Sequence, residues 1–246
     1  MVFKKSMSVM LTFYILILNP YEPVAKTTNG ALTLPVKIVQ APLKLESVLD
    51  PVDPIWSDAP DSVIHLSRTP PLFSDGPFDD QQRPVAHVKL LRVNDTVFAA
   101  IHWNDPTEDR GSTSKKFPDV GESNIYKLHS LGVASFPDAV CVMVPNQKGM
   151  MLTYPAMMMG EKAGQVTLSY WRADKEFQVL KAHGRSTTQA NVEKLNGKAM
   201  REGDGWTVVM EIGPLPTRTP LIFAVWDGSK EHRDGLKYFS LWYEIE

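Results

Sequence analysis

The chain has 246 residues and 19 prolines, where average usage gives roughly 12, and prolines at that density disfavour a helical bundle. Lysine and arginine number 26 against 28 aspartates and glutamates, a formal charge of −2; without a basic footprint to attract phosphate backbones, no nucleic-acid partner is expected. The single cysteine, Cys141, excludes an intramolecular disulfide, a four-thiolate iron–sulfur site and a Cys-x-x-Cys-His haem attachment, so any cofactor must be held by other side chains.

Residues 1–25 carry Lys4 and Lys5 ahead of an apolar run, Val9 to Leu18, that stops at Asn19-Pro20. That order is the pattern of a secretory signal, and a run of about half the ~20 apolar residues needed for a span leaves no permanent membrane anchor. Cleavage after Ala25 is the simplest expectation. Pro23 fits poorly three residues before that cut, so a cut near Gly30 or Ala31 stays open. A periplasmic or otherwise extracytoplasmic protein follows, with a hydrophobic fraction of 43% sufficient for one domain over residues 31–246.

From Ala31 the apolar residues come in short alternating runs: Val36 to Val39, Val63 to Leu66, Val85 to Val93 and Val97 to Trp103. Further runs cover Ala139 to Val144, Gln165 to Tyr170, Trp206 to Ile212, Leu221 to Trp226 and Tyr238 to Ile245. Asp53-Pro54, Thr69-Pro70-Pro71, Asn94-Asp95 and Asn104-Asp105-Pro106 punctuate them, because Asx side chains bond the local backbone and proline removes a donor. Asn94-Asp95 closes a hairpin between the third and fourth runs. Around ten strands of this kind predict an all-β protein, an antiparallel β-sandwich with long loops and a few short helices. Residues 107–135 and 172–204 lack a clear period and read as excursions, with a helical turn at Glu122 to Leu131.

Several segments together resemble the haem b-binding gamma subunits of the type II dimethyl sulfoxide reductase family. Its periplasmic molybdenum enzymes include ethylbenzene and dimethyl sulfide dehydrogenases, selenate and chlorate reductases and nitrite oxidoreductases. The segments are Asp53-Pro54-Ile55-Trp56-Ser57-Asp58-Ala59-Pro60, Ile101-His102-Trp103-Asn104-Asp105-Pro106-Thr107, Phe136-Pro137-Asp138-Ala139-Val140 and Met159-Gly160-Glu161. After them come Tyr170-Trp171-Arg172-Ala173, Gly205-Trp206-Thr207-Val208-Val209, Phe223-Ala224-Val225-Trp226-Asp227-Gly228 and Gly235-Leu236-Lys237-Tyr238-Phe239-Ser240-Leu241-Trp242. Each is weak alone; their common order over most of residues 50–243 carries the resemblance. It implies a β-sandwich related to extracytoplasmic cytochrome domains, in agreement with the strand pattern.

The resemblance also implies one non-covalent haem b held between a methionine and a lysine, roles that fall on Met159 and Lys237. A thioether is a soft, uncharged ligand that favours reduced iron. An amine binds only after losing a proton whose free pKa is ~10.4, which burial and the metal's pull both assist. With both axial positions filled by protein, such a haem carries electrons and does not catalyse. The implied partners are an iron–sulfur beta subunit, a molybdopterin-containing alpha subunit and a soluble cytochrome c.

Other readings of the same residues stay open at this level. Met157 and Met159 would share one face of a strand and Met158 the other, so Met157 or Met158 is a fallback for Met159. Clustered methionines also serve as pliable filler, and Lys237 could be an exposed edge-strand lysine. His87 and His102 lie at strand-like spacings and could serve a histidine–methionine scheme. Asn94, Asp95, Asp105, Glu108 and Asp109 lack the spacing of an EF-hand and read as solvated turns. Most of the six tryptophans are expected in the core. If several were exposed, they would suit a carbohydrate- or small-ligand-binding sandwich without haem. No His-Glu-x-x-His, Gly-x-Ser-x-Gly or phosphate-binding glycine loop is present, so no catalytic centre is expected.

Overall fold

The computed structural model describes residues 26–28, 31–40, 43–69, 84–111, 136–146, 154–184, 187–191, 193–230, 232 and 235–246. The signal segment expected at residues 1–25 and the helical turn expected at Glu122 to Leu131 lie outside the described residues.

Strands numbered in chain order form two sheets. Across the larger sheet the spatial order is β1 (Lys26–Thr28), β2 (Ala31–Leu34), β16 (Tyr243–Ile245), β14 (Pro220–Trp226), β8 (Ala139–Pro145), β9 (Val166–Arg172), β10 (Glu176–Ala182) and β11 (Gln189–Ala190). Beside β14 lies β15 (Tyr238–Phe239), which pairs in turn with β5 (Ser67–Arg68). The smaller sheet runs β12 (Gly197–Glu202), β13 (Gly205–Pro214), β7 (Thr96–Asn104), β6 (Val85–Val93) and β3 (Val36–Val39). On the same edge, β4 (Ser62–His65) takes the first half of β6 and β3 the second. The all-β class is thus as expected, with one departure: β16–β2 and β3–β6 pair in parallel.

Period-2 alternation builds the core. Ala86, Val88 and Leu90 of β6, Val97, Ala99, Ile101 and Trp103 of β7, and Trp206, Val208 and Met210 of β13 face inward. They meet Val140, Val142 and Val144 of β8 and Leu221, Phe223 and Val225 of β14, so the two sheets share one apolar layer. Trp171 joins it, edge-on to Trp103 at 6.2 Å and to Trp206 at 4.8 Å between ring centroids. Each sheet also carries an apolar layer on its outer face. On the smaller sheet Leu91, Phe98, Ala100 and Val209 lie under Val48, Trp56 and Ala59. Val48 belongs to a short helix, Leu45–Leu49, and Trp56 closes a 3₁₀ turn begun by Asp53, whose side chain accepts from the Ile55 N–H.

Asn94 adopts φ 54° in the β6–β7 turn, the left-handed conformation that asparagine tolerates and a tight hairpin requires. Two expectations need correction. The run from Tyr238 to Ile245 is two strands: the Ser240 N–H still donates to the Phe223 carbonyl, but its hydroxyl accepts from the Phe223 N–H and regular pairing stops there. Residues 172–204 are not an excursion: they hold β10, β11 and β12. Both β10 and β12 lie toward sheet edges with partly exposed faces, so their apolar period is diluted by polar residues.

Phe223 is fully buried between the sheets. Phe223→Ala should cost ~3–5 kcal/mol, a fall of roughly 6–20 °C in the melting temperature followed by circular dichroism.

Candidate functional site

The outer face of the larger sheet carries the sequence-derived candidates. Register aligns Tyr170, Cys141, Ala224 and Phe239 in one row across β9, β8, β14 and β15, placing two short side chains between two aromatic ones. Ala139 and Trp226 form the neighbouring pair, and Met143, Ile222 and Leu168 the row beyond Cys141. Against this face pack Met157, Met159, Leu180 and Trp242. Both faces of β8 and β14 are buried along their whole length, whereas a sandwich strand ordinarily leaves its outer face to water.

Met157 to Met159 form a turn and not a strand. Even so, Met157 and Met159 pack on the same apolar face, which the strand reading had grouped for a different reason. Met158 is half-buried. Met159 itself has φ 73°, and Gly160, at φ 72°, donates its N–H to the Ala156 carbonyl at 2.8 Å. The Met159 carbonyl accepts from the Gly184 N–H at 2.9 Å. Two successive left-handed residues therefore turn the methionine segment back onto the sheet.

Lys237 is 5% exposed, so it is no surface edge lysine. Thr69 clamps its backbone: the Thr69 hydroxyl accepts from the Lys237 N–H at 3.1 Å, and the Thr69 N–H donates to the Lys237 carbonyl at 2.9 Å. The Nζ atom lies 5.2 Å from the centre of the Trp226 ring, on the face where Met159 packs. Burial pushes the Cys141 thiol up to about 12 despite the opposing charge of Lys237, making it an inert strand residue.

His87 and His102 are elsewhere. They sit on facing positions of β6 and β7, on the outer side of the smaller sheet. His87 Nδ1 meets Asp61 at 2.9 Å and His102 Nδ1 meets Thr207 at 3.0 Å. The whole sandwich separates them from the Met159 face. Five tryptophans, Trp56, Trp103, Trp171, Trp206 and Trp226, are buried, as expected for core residues, and Trp242 is half-buried. A cleft of about 530 Å³ lined by Thr167, Ser169, Lys181, Glu193 and Glu211 has no aromatic side chain in its wall, and so no stacking platform for a sugar.

Sequence reasoning missed one convergence. Asp105, expected in a solvated turn, is 0% exposed. It follows β7, Asp138 precedes β8 and Asp227 follows β14, so three strand ends bring buried carboxylates together from both sheets, with oxygens within 4.8 Å of one another. At an effective dielectric of 20, like charges at that spacing repel by ~3 kcal/mol per pair. Burial and then the charges of Asp138 and Asp227 push Asp105 up to about 7. Burial also raises Asp138, against hydrogen bonds from the Gly228 and Asp109 N–H groups and Trp206 Nε1. Asp227 is held low: burial acts against it, but Ser229 and Lys230 outweigh that. The available signal was that three of the quoted segments contain these aspartates at strand ends.

Comparison with known proteins gives relatives of one kind. A respiratory nitrate reductase heme subunit, ORF7, of Haloferax mediterranei is 25% identical over 243 residues, covering 94% of this chain and 79% of that protein. The dimethylsulfide dehydrogenase subunit gamma of Rhodovulum sulfidophilum is 25% identical over 232 residues, or 85% of this chain and 78% of that one. The chlorate reductase subunit gamma of Ideonella dechloratans is 29% identical over 171 residues, 64% of this chain and 62% of that one. The resemblance to these gamma subunits is borne out. No family model matches the chain. Among solved structures, a family 9 carbohydrate binding module from Caldicellulosiruptor kristjanssonii in complex with glucose has a TM-score of 0.41 and 11% identity, covering 87% of this chain and 95% of that one. That likeness is too remote to bear on ligand. Among the described residues, no helix is long and apolar enough to cross a membrane.

The segment Met159-Gly160-Glu161, one of those that carry the resemblance, depends on the glycine. A Cβ at Gly160 would lie 2.5 Å from the Gly164 carbonyl oxygen, at a φ that side chains resist. Gly160→Ala is expected to cost ~1–2 kcal/mol, a fall of roughly 2–8 °C in melting temperature.

Proposed function

We propose that this chain is the electron-transfer subunit of a molybdenum oxidoreductase complex and binds one non-covalent haem b, with Met159 and Lys237 as axial ligands. The observation that carries the reading is the buried amine of Lys237 beside Trp226, on the apolar face against which Met159 packs. The similarity to heme and gamma subunits over most of the chain supports it.

The donor set suits haem. Thioether and neutral amine are both uncharged and fit an apolar wall, which here sets the short side chains of Ala139, Cys141 and Ala224 beside Tyr170, Trp226 and Phe239. Bound there, haem supplies a one-electron couple. Thr69 fixes the backbone of Lys237, and the Met159–Gly160 turn sets Met159 against the same apolar face. The surrounding aromatics exclude water, a condition that raises the cost of iron's extra charge and so favours the reduced state. Held by both Met159 and Lys237, the haem would leave no coordination site for substrate and would carry electrons, and catalysis would belong to the molybdopterin alpha subunit.

In this reading electrons pass between an iron–sulfur beta subunit and a soluble cytochrome c. The protein works outside the cytoplasm, in the periplasm, after loss of residues 1–25, as one domain over 31–246.

The purified chain is expected to show a Soret band and a reducible α band, or to acquire them when haem is added. Lys237→Ala, with unchanged far-ultraviolet circular dichroism, should shift both bands, and Met159→Ala should lower the midpoint potential. A colourless protein that takes up no added haem rules the reading out.

A further inference from the structure

We propose that Asp105, Asp138 and Asp227 form a calcium site that ties the two sheets together at one end of the sandwich. The three carboxylates come from the ends of β7, β8 and β14 and so from both sheets. Two oxygens bound at ~2.4 Å to one calcium ion lie no more than ~4.8 Å apart, and the three aspartates each offer an oxygen inside that limit. Magnesium, at ~2.1 Å, demands a tighter octahedral set.

The second observation is an orphan. Asp105 is 0% exposed; its Oδ1 accepts from the Thr107 N–H and hydroxyl, while its Oδ2 is buried with no hydrogen-bond partner. A buried carboxylate oxygen without a donor is costly, and a hard cation satisfies it. Among the described residues, no side-chain cation hydrogen-bonds that oxygen, although the Lys230 charge acts on Asp105. Lys230 Nζ pairs with Asp227 Oδ2 at 3.0 Å. Arg201 donates to the backbone carbonyl of Asp105 and not to its carboxylate, and Arg110 donates to the Ala173 carbonyl. Both guanidinium groups lie over the Trp206 ring, at 5.4 and 5.6 Å from its centre.

The site is also held rigidly, as a coordination sphere requires. Gly228 and Trp206 fix the two oxygens of Asp138 at 2.9 Å each, and the Asp138 N–H donates to the Asp109 carbonyl. A Cβ at Gly228 would lie 2.0 Å from the Phe136 carbonyl oxygen, so backbone packs tightly against the residue whose N–H holds Asp138.

This inference does not rest on the haem reading, and its test reads metal content and stability, not colour. The full chain is dialysed against chelator, then against calcium chloride, and melted in each buffer. The expected result is stoichiometric calcium by elemental analysis and a rise in melting temperature of about 5–10 °C at calcium a hundredfold above its Kd, with a smaller response to magnesium. Asp105→Asn should abolish the calcium response and melt above the wild-type chain in chelator, because it removes one of three like charges; Asp61→Asn, on the outer face of the smaller sheet, should respond as wild type does. If Asp105→Asn does not fold, the wild-type metal content and melting shift decide. No bound calcium and no shift in the wild-type chain overturn the proposal, as does a full calcium response in folded Asp105→Asn. An equal response to magnesium overturns the assignment to calcium.

Discussion

The central strands β8 and β14 are apolar on both faces, and that single constraint organises the molecule. A strand with one apolar face needs one partner layer; a strand with two needs cover on both sides. Val140, Val142 and Val144 find theirs in the smaller sheet. Ala139, Cys141 and Met143 point the other way and draw Met157, Met159, Phe239 and Trp242 over them. An outer face built this way, short in the middle and aromatic at its margins, is water-poor in a place where sandwiches are usually wet. Lys237 enters that environment by its amine, with Thr69 holding the backbone from which it projects.

The same strands end in charge. Immediately beyond Trp226 stands Asp227, and immediately before Ala139 stands Asp138, so the apolar outer face and the carboxylate cluster share their supporting strands. Trp206 links core and cluster: its ring packs on Trp171 at 4.8 Å, and its Nε1 donates to Asp138 at 2.9 Å. The cluster and the face on which Met159 packs are thus carried by the same two strands. His87 and His102 belong to the far side of the smaller sheet.

Most of the strand pattern was legible because burial enforces alternation. Val36–Val39 and Val85–Val93 form over the residues their sequences mark, and Asn94-Asp95 closes the hairpin as its chemistry requires. β10 and β12 escaped notice for the converse reason: toward the edges, partial exposure lets Lys181, Lys198 and Arg201 interrupt the period. The break at Ser240 was also hidden, since a single hydroxyl bonded to the Phe223 N–H ends a strand that composition alone would continue. Asp105 was misread because Asx-Pro punctuation is the same in a solvated turn and in a buried one, and only the neighbours differ.

By itself the sequence determined the all-β class and most of the strand positions, and excluded a four-thiolate iron–sulfur site and a Cys-x-x-Cys-His haem attachment, because these follow from local period and residue count. It also supplied Met159 and Lys237 as candidates, through the order of short segments shared with the gamma subunits. Tertiary structure alone decided which face each side chain meets. It buried Lys237, brought Met157 and Met159 together through a turn, sent the histidines to the opposite sheet and assembled three aspartates from strand ends more than thirty residues apart in sequence. The reason is that one residue's slip in register reverses a side chain's face, and register is fixed by the packing of both sheets together, which no short segment contains.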